Sequence, residues 1–169
     1  VFMDSLSKLT KKDSVIIPDA GGNLTWTMQG YEPKVKQQIF SAFNHSPMGY
    51  AFPAAIGVKL ARPDCEVVCI TGDGGLNMNL QELGTLALQK LPIKMFILNN
   101  EEYGIIKQTQ STWLNSNYVC SDIASGVACP DFLKIAQAYD IKTESISSHE
   151  NLDKKIQDVL LYADGPIIC

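Results

Sequence analysis

Short apolar runs alternate along the chain with stretches in which apolar residues recur at helical spacing. Val67–Ile70 and Met95–Leu98 are continuous apolar runs, which is typical of strands buried on both faces of a parallel sheet. Between them, apolar residues recur every three or four positions until Pro92, as on one face of an amphipathic helix. The residues of this face are Leu80, Leu83, Ala87 and Leu91. The stretch predicts one β-α-β unit whose two strands run parallel through a right-handed crossover.

The rest of the chain predicts more elements of the same two kinds. Ser14–Pro18 is a strand that follows a helix within residues 1–12, and residues 38–44 form a weaker strand. The pattern further predicts a helix carrying Trp26, a helix at 46–57, a short helix at 105–110, a polar loop at 111–130, a helix at 131–139, a strand at 141–145, a helix at 151–163 and a last strand after Pro166. This alternation predicts a doubly wound α/β fold with a mostly parallel sheet flanked by helices. The length fits one domain over residues 1–169.

The composition argues against several classes of partner and site. The net charge is −4, with both signs mixed and no basic block, which disfavours nucleic acid and anionic membranes as partners. No apolar run reaches about eighteen residues and no signal-peptide pattern is present, so we expect a cytoplasmic protein without membrane association. The five cysteines are odd in number and include no C-x-x-C pair, which favours reduced thiols over a disulfide or zinc framework.

Polar residues follow three of the predicted strands at their carboxyl ends. Asp19–Asn23 follows the first strand, Gly72–Gly75 follows the apolar run of the third, and Asn99-Asn100 ends the next. Parallel strands place their carboxyl ends on one edge of the sheet, where open α/β sheets bind ligands. We therefore expect Asp73 and Asn100 to lie side by side. A carboxylate and an amide oxygen beside glycine N–H groups suit a hard cation that bridges to a phosphate.

Two familiar phosphate-binding patterns do not fit these residues. The G-x-G-x-x-G fingerprint would need a glycine where Asn77 stands, and the G-x-x-x-x-G-K-[ST] loop is absent. An Asp-Gly turn and an Asn-rich loop that merely cap strands remain an alternative for either piece taken alone. For Asn23, a structural turn and a contact with a ligand are equally compatible with the sequence.

Three motifs together resemble those of one enzyme family. GDGG at 72–75, QELGTL at 81–86 and LNNEEYG at 98–104 are similar to the thiamine-diphosphate motif, in which GDG and NN are separated by a little under thirty residues. MGYAFPAAIG at 48–57 is similar to the M-G-[FY]-x-x-P-A-A-I-G segment of acetolactate-synthase-like enzymes. The chain thus resembles the C-terminal domain of these enzymes, which binds the diphosphate of thiamine diphosphate together with Mg²⁺. The resemblance implies the thiamine-diphosphate-binding variant of the α/β fold.

The resemblance also implies roles for individual residues. Mg²⁺ would be held by Asp73, Asn100 and the backbone carbonyl of Glu102. Met48 would support the bent cofactor from below, and the Ser46 carbonyl would accept a hydrogen bond from the aminopyrimidine amino group. Without the motif, a methionine is more often core filler. The full set of implied cofactor-binding residues is Gly21, Gly22, Asn23, Ser46, Met48, Gly72, Asp73, Gly74, Gly75, Asn100, Tyr103, Gly104 and Ile105.

The implied activity is decarboxylation of a 2-keto acid, transfer of the resulting carbanion to an acceptor, or both. Two positions depart from the family pattern. Thr109 stands where acetolactate synthases carry a tryptophan after the glutamine that is Gln108 here, which argues against acetolactate synthesis but not against the cofactor. Gly75 stands where many relatives have serine, so one hydroxyl contact to the phosphate is expected to be missing.

Family members also need a glutamate that the recognisable motifs of this chain do not contain. It comes from a pyrimidine-binding domain of a partner subunit, and we expect this chain alone to be inactive. The chain is expected to be part of a longer polypeptide that forms a homodimer or homotetramer, or a small subunit of a two-chain 2-keto acid decarboxylase. Any FAD would belong to a domain outside these residues. A non-catalytic α/β module that binds a phosphate-bearing ligand is the alternative from another functional class.

Overall fold

The computed structural model describes residues 1–169 and contains one parallel six-stranded sheet between helices. The strands are β1 (Val15–Pro18), β2 (Gln38–Ile39), β3 (Val67–Gly72), β4 (Ile93–Leu98), β5 (Lys142–Thr143) and β6 (Ile167–Ile168). The helices are α1 (Phe2–Leu9), α2 (Gly22–Gly30), α3 (Ala51–Ala61), α4 (Asp73–Asn77), α5 (Glu82–Leu88), α6 (Gly104–Trp113), α7 (Phe132–Ala138) and α8 (Leu152–Leu161). The strand order is β2-β1-β3-β4-β6-β5 and every pairing is parallel, which confirms the predicted α/β class.

The central strands are buried on both faces because their alternate residues enter two separate cores. Val67 and Cys69 of β3 pack in a core that includes residues of α3, α5 and α7. Val68 and Ile70 pack in a second core with residues of α1 and α8. The inner face predicted for α8 is confirmed, since each of its four residues is buried: Leu152, Ile156, Val159 and Leu160.

The pairing of β3 with its two neighbours fixes which loops meet at the carboxyl edge of the sheet. β3 pairs with β1 on one side and with β4 on the other, up to Gly72 opposite Leu98. Asp73 follows Gly72 directly, and Asn100 comes two positions after Leu98. Both residues therefore leave adjacent strands at the same edge, as predicted. The turn between β1 and α2 leaves the sheet at this edge as well.

The helix predicted over residues 80–91 is shorter than expected, since α5 covers only Glu82–Leu88, and a separate short helix precedes it. α4 begins at Asp73 itself, and a turn at residues 78–81 separates it from α5. In this turn the N–H of Asn79 donates to the carbonyl of Leu76, three positions back, at 3.0 Å, whereas an α-helix uses a carbonyl four positions back. The Asn79 side chain donates to the carbonyl of Gly49 at 2.6 Å. The hydrogen bond from Asn79 to Gly49 thus accompanies the break between α4 and α5, which the apolar spacing did not indicate.

Several other predicted boundaries differ. The helix predicted at 46–57 is α3, Ala51–Ala61, and the strand predicted at 141–145 is only Lys142–Thr143. The weak strand at 38–44 is only two residues long, because it lies at the sheet edge and only β1 bonds to it. α6 extends to Trp113, so the polar loop starts later than predicted, and it contains a 3-10 helix at Ile123–Ser125. Asp122 caps this short helix through its side chain, an arrangement whose sequence pattern is too brief to predict.

The cysteine thiols lie at different depths in the fold. The cysteines are all free, and two of them, Cys65 and Cys69, are buried in the sheet region. None of the helices combines the length and the apolar character that a membrane span requires.

Candidate cofactor and metal site

Asp73 lies at the end of β3 with one carboxylate oxygen free. Its side chain is nearly fully buried, with 4% of the residue exposed. Oδ1 accepts a hydrogen bond from the Gly74 N–H at 2.8 Å, while Oδ2 is buried without any hydrogen-bond partner. A buried carboxylate oxygen without a partner is unfavourable unless a donor or a cation reaches it. Asp73 therefore fits the role of a metal ligand. The Gly74 N–H was expected to face a phosphate, but in this structure it donates to the Asp73 carboxylate.

Asn100 and Glu102 lie in the loop between β4 and α6, and their side chains point to different roles. Asn100 is exposed, and its Nδ2 lies 3.5 Å from Glu102 Oε1. The other Glu102 oxygen, Oε2, accepts a hydrogen bond from Lys107 Nζ at 2.6 Å. Lys107 occupies the Glu102 carboxylate. Glu102 could therefore bind a metal through its backbone carbonyl, as the resemblance implies, rather than through its side chain. Glu101 is exposed, with a left-handed φ of 59°.

Gly74 is the point at which three separate segments approach one another. A Cβ placed on Gly74 would lie 2.5 Å from Tyr103 Cε1 and 2.8 Å from Met48 Cε. Only glycine leaves room for both side chains. Met48 is 37% exposed, which is more than core filler would be. The structure thus brings together Met48, Gly74 and Tyr103, which the sequence placed in one site from three motifs.

The turn after β1 is held mainly by the side chain of Asn23. Its Nδ2 donates to the carbonyl of Asp19 at 3.1 Å and to the carbonyl of Ile70 at 3.2 Å. Asn23 thereby ties the end of β1 to β3. Its amide nitrogen thus stabilises the turn, which is the structural role that the sequence left open beside contact with a ligand. Gly21 has a φ of 100°, which favours glycine. A Cβ on Gly22 would lie 3.2 Å from the Trp26 ring.

Asp19 is a central residue of this edge, although the sequence predicted a role only for the turn that it begins and not for its side chain. It is fully buried, and its carboxylate accepts hydrogen bonds from the Ala20 N–H at 2.7 Å, the Gly49 N–H at 3.0 Å and the Thr71 hydroxyl at 3.0 Å. Burial raises the pKa of the Asp19 carboxyl. The available sequence signal was its place in the turn after the first strand, because two of the donors, Gly49 and Thr71, come from distant positions.

The glycine at position 75 follows from the location of Asp19. A Cβ on Gly75 would lie 2.7 Å from Thr71 Oγ1 and 2.8 Å from Asp19 Oδ2. A serine, as expected from the family pattern, would meet both of these buried groups. The departure at this position is therefore explained by packing against Asp19 and Thr71.

A cluster of charged residues fastens the loop after α6 to the Glu102 segment. Lys107 Nζ lies 2.6 Å from Glu102 Oε2 and 3.0 Å from Asp122 Oδ2, and it stacks 5.4 Å from the centre of the Tyr118 ring. The Ser125 hydroxyl and Lys107 lower the pKa of Asp122 to about 2. The two carboxylates raise the pKa of Lys107. This cluster was not predicted, since its charges are scattered through the loop sequence.

The remaining predicted residues lie around the same edge. Ser46 is exposed with a left-handed φ of 43°. Gly104 begins α6, and a Cβ on it would lie 3.2 Å from Asn100 Nδ2. Ile105 is exposed on the first turn of α6. A separate cavity of about 550 Å³ is lined by Asn99 and Glu101 together with Cys129 and others, and none of the predicted cofactor residues lines it.

A comparison with protein families finds a match for most of the chain. Residues 19–169 match the family described as thiamine pyrophosphate enzyme, C-terminal TPP binding domain. The chain belongs to this family. The match confirms the resemblance drawn from the GDG, NN and MGYAFPAAIG segments. It also supports thiamine pyrophosphate, which is thiamine diphosphate, as the cofactor of the domain.

The thiamine pyrophosphate domain has relatives among acetolactate synthases. It is 37% identical over 157 residues to the acetolactate synthase large subunit of Porphyra purpurea, which covers 93% of this chain and 26% of that protein. It is 32% identical over 168 residues to the acetolactate synthase isozyme 2 large subunit of Escherichia coli (strain K12), covering 99% of this chain and 30% of that protein. The domain therefore spans less than a third of the length of these curated relatives.

A solved structure shares the fold of the domain. The Rhodococcus jostii RHA1 thiamine diphosphate-dependent 4-hydroxybenzoylformate decarboxylase superposes with a TM-score of 0.82 at 23% identity, over 98% of this chain and 30% of that chain. At this identity the likeness concerns the fold alone. It agrees with the parallel sheet and with the predicted thiamine-diphosphate-binding variant of the α/β class.

Proposed function

We propose that this domain binds the diphosphate of thiamine diphosphate together with Mg²⁺ in an enzyme that acts on a 2-keto acid. The reaction would be decarboxylation, transfer of the resulting carbanion to an acceptor, or both. The observation that carries the proposal is the buried Asp73 Oδ2, which has no hydrogen-bond partner at the edge where Asn100 also emerges. The names of the relatives in the curated comparison, acetolactate synthases, support this class of reaction.

The donor set at this edge suits magnesium. Mg²⁺ takes about six oxygen ligands in a near-octahedral arrangement and keeps some of its waters. Asp73 Oδ2, the Asn100 side-chain oxygen and the Glu102 carbonyl would supply the protein ligands. No group of three or more His, Cys, Asp or Glu side chains placed to hold a metal occurs in the structure, and the proposed set needs only one carboxylate because the diphosphate brings negative charge of its own.

The other residues of the site would hold and shape the cofactor. When bound, thiamine diphosphate supplies the nucleophilic carbon and the electron sink that loss of CO2 requires. The glycines of the β1 and β3 turns would let the backbone approach the diphosphate. Met48, backed by Gly74 and Tyr103, would support the cofactor where it bends. Ser46 and Ile105, both exposed at this edge, would face the part of the cofactor that lies beyond the diphosphate.

The proposed active enzyme needs a second domain. A pyrimidine-binding domain of a partner subunit would cover the exposed edge and bring the activating glutamate, in a homodimer or homotetramer or in a two-chain enzyme. The exposed Met48, Ile105 and Trp113 side chains support a covered edge, because apolar side chains are more stable when buried against a partner. The domain alone would then be inactive.

Asp73→Asn in the full-length protein tests the metal site. Asparagine keeps the size of the side chain and removes its charge, so we expect affinity for thiamine diphosphate at fixed Mg²⁺ to fall more than tenfold, or about 1.4 kcal/mol. Titration calorimetry with and without Mg²⁺ measures this loss without relying on turnover. Asp64→Asn is the matched control, because Asp64 is exposed in the turn after α3. It should bind the cofactor like the wild type.

Two outcomes of this experiment would contradict the proposal. Equal affinities of Asp73→Asn and Asp64→Asn would remove Asp73 from the metal site. A wild-type protein that binds no thiamine diphosphate, with or without Mg²⁺, would instead favour the non-catalytic phosphate-binding module.

A further inference from the structure

Gly49 is held from two sides by side chains of distant residues. Its N–H donates to the Asp19 carboxylate, at 3.0 Å from Oδ1 and 3.2 Å from Oδ2. Its carbonyl accepts a hydrogen bond from Asn79 Nδ2 at 2.6 Å. Asp19 and Asn79 each lie 30 positions away from Gly49 in the sequence. Both polar groups of one residue's backbone are therefore fixed by tertiary hydrogen bonds.

The conformation of Gly49 makes this arrangement specific. Its φ is 88°, which is in the left-handed region that favours glycine. A Cβ on Gly49 would lie 2.9 Å from Met78 Cβ and closer still to Asn79 Nδ2. A residue with a side chain would thus push Asn79 away and break its hydrogen bond to the Gly49 carbonyl.

Both partners of Gly49 are themselves fixed. Asp19 is fully buried and is also bonded by the Ala20 N–H at 2.7 Å and by the Thr71 hydroxyl at 3.0 Å. Asn79 lies in the turn between α4 and α5, where its N–H donates to the Leu76 carbonyl at 3.0 Å. The two side chains therefore hold Gly49 in a fixed position relative to β1, β3 and the α4–α5 turn.

Met48, which precedes Gly49, is the side chain that depends most on this support. On the other side of Gly49 the chain enters α3, whose residues Ala51 and Phe52 are fully buried in the core. Met48 is partly exposed, yet its Cε reaches to 2.8 Å from the position of a Gly74 Cβ. The backbone from which Met48 projects is thus set by core packing on one side and by the two hydrogen bonds at Gly49.

We propose that Asp19 and Asn79 are positioning residues that fix Met48 at the cofactor edge by clamping Gly49. The inference rests on the proposed role of Met48 in supporting the cofactor. The two residues act through the Gly49 peptide groups and hold Met48 in place before the cofactor arrives. A side chain that is already placed loses little conformational freedom when the cofactor binds.

The decisive measurement is a double-mutant cycle in the full-length enzyme. Asn79→Ala should lower kcat about tenfold, since small misplacements near reacting groups have large effects, while the Kd for thiamine diphosphate changes by less than about threefold. In a Met48→Ala background the same substitution should lower kcat by less than about twofold, because the two residues act as one unit. Asn77→Ala is the control, since the Asn77 side chain makes no hydrogen bond and Asn77 ends α4, two positions before Asn79. It should leave kcat unchanged.

A second readout uses the enzyme without cofactor. With ¹³C-methyl-methionine labelling, the Met48 methyl resonance is assigned by its loss in Met48→Leu. Asn79→Ala and Asp19→Asn should each shift or broaden this resonance, whereas Asn77→Ala should not. Asn79→Asp, which replaces the donor by an acceptor facing the Gly49 carbonyl, gives the same expectation if Asn79→Ala is poorly folded.

The outcomes separate this inference from the proposed function. The clamp would be overturned if Asn79→Ala lowered kcat equally in the wild-type and Met48→Ala backgrounds. It would also be overturned if the Met48 methyl resonance were unshifted in both Asn79→Ala and Asp19→Asn. If Met48→Ala itself leaves turnover and cofactor affinity unchanged, the proposed role of Met48 fails. The methyl resonance then decides alone whether Asp19 and Asn79 hold this side chain.

Discussion

Replacing Gly74 with alanine tests whether the three segments at the site meet as tightly as the structure shows. A Cβ on Gly74 would lie 2.5 Å from Tyr103 Cε1 and 2.8 Å from Met48 Cε, well inside the ~3.5–4.0 Å at which carbon atoms are in favourable contact. At least one of the two side chains must move. Overpacking of this kind costs about 1–3 kcal/mol.

Two further effects set the direction and size of the change. Alanine is about 1 kcal/mol more favourable than glycine within a helix, so α4 offsets part of the cost. The Tyr103 N–H donates to the Ser121 carbonyl at 2.8 Å, which holds its backbone in place, whereas Met48 is partly exposed and has room to move. We expect Met48 to be displaced, with a net loss of about 1 kcal/mol in the free energy of unfolding and a fall of about tenfold in turnover.

Gly57→Ala is the matched control for this substitution. Gly57 lies within α3, and a Cβ there would meet nothing within 4 Å, so alanine should stabilise the protein by up to about 1 kcal/mol. Urea denaturation of the full-length protein measures the stability of both variants, and titration calorimetry measures their cofactor affinity. If Gly74→Ala is as stable as Gly57→Ala and as active as the wild type, the packing inferred around Gly74 is wrong.

Other predictions concern the loop after α6 and the thiols. Lys107→Gln should release the Glu102 and Asp122 carboxylates and speed proteolysis within residues 114–122, while Lys107→Arg should not. The pKa of Asp122 is lowered to about 2 from an ordinary 3.8. The ionised Asp122 carboxylate should therefore stabilise the fold fully above about pH 4, and this stabilisation should be lost as the pH falls towards 2. NMR titration of the Asp122 carboxyl can check this. The exposed Cys120 should react with a thiol reagent in the native protein, whereas Cys69, whose thiol pKa is raised by burial, should react only after unfolding.

The sequence was sufficient wherever a signal was local. The apolar runs of β3 and β4 marked strands buried on both faces, because such runs are rarely found elsewhere at that length. The inner face of α8 and the start of α7 at Asp131, which accepts a hydrogen bond from the Lys134 N–H at 3.1 Å, followed from spacing and capping rules. The position of Asp73 next to Asn100 followed from the parallel pairing alone.

The missed features all depend on the approach of distant segments. The burial of Asp19 arises from donors at Gly49 and Thr71, which lie 30 and 52 positions away. The break between α4 and α5 coincides with a hydrogen bond from Asn79 to another loop. No periodicity within a short window contains such information, and propensity yields to tertiary contacts at these points.

The order of strands has a consequence for how the site comes into existence during folding. The carboxyl edge needs β1, β3 and β4 side by side, and the hydrogen bond from Thr71 to Asp19 already closes a loop of 52 positions. Contacts between such distant residues form slowly, because the loop entropy is lost before the contacts are gained. No short piece of the chain can assemble the edge, so a cofactor that binds there selects only molecules in which β1, β3 and β4 are already paired. Thiamine diphosphate would then act as a folding ligand, and its concentration relative to its Kd would set how far it stabilises the finished sheet against unfolding.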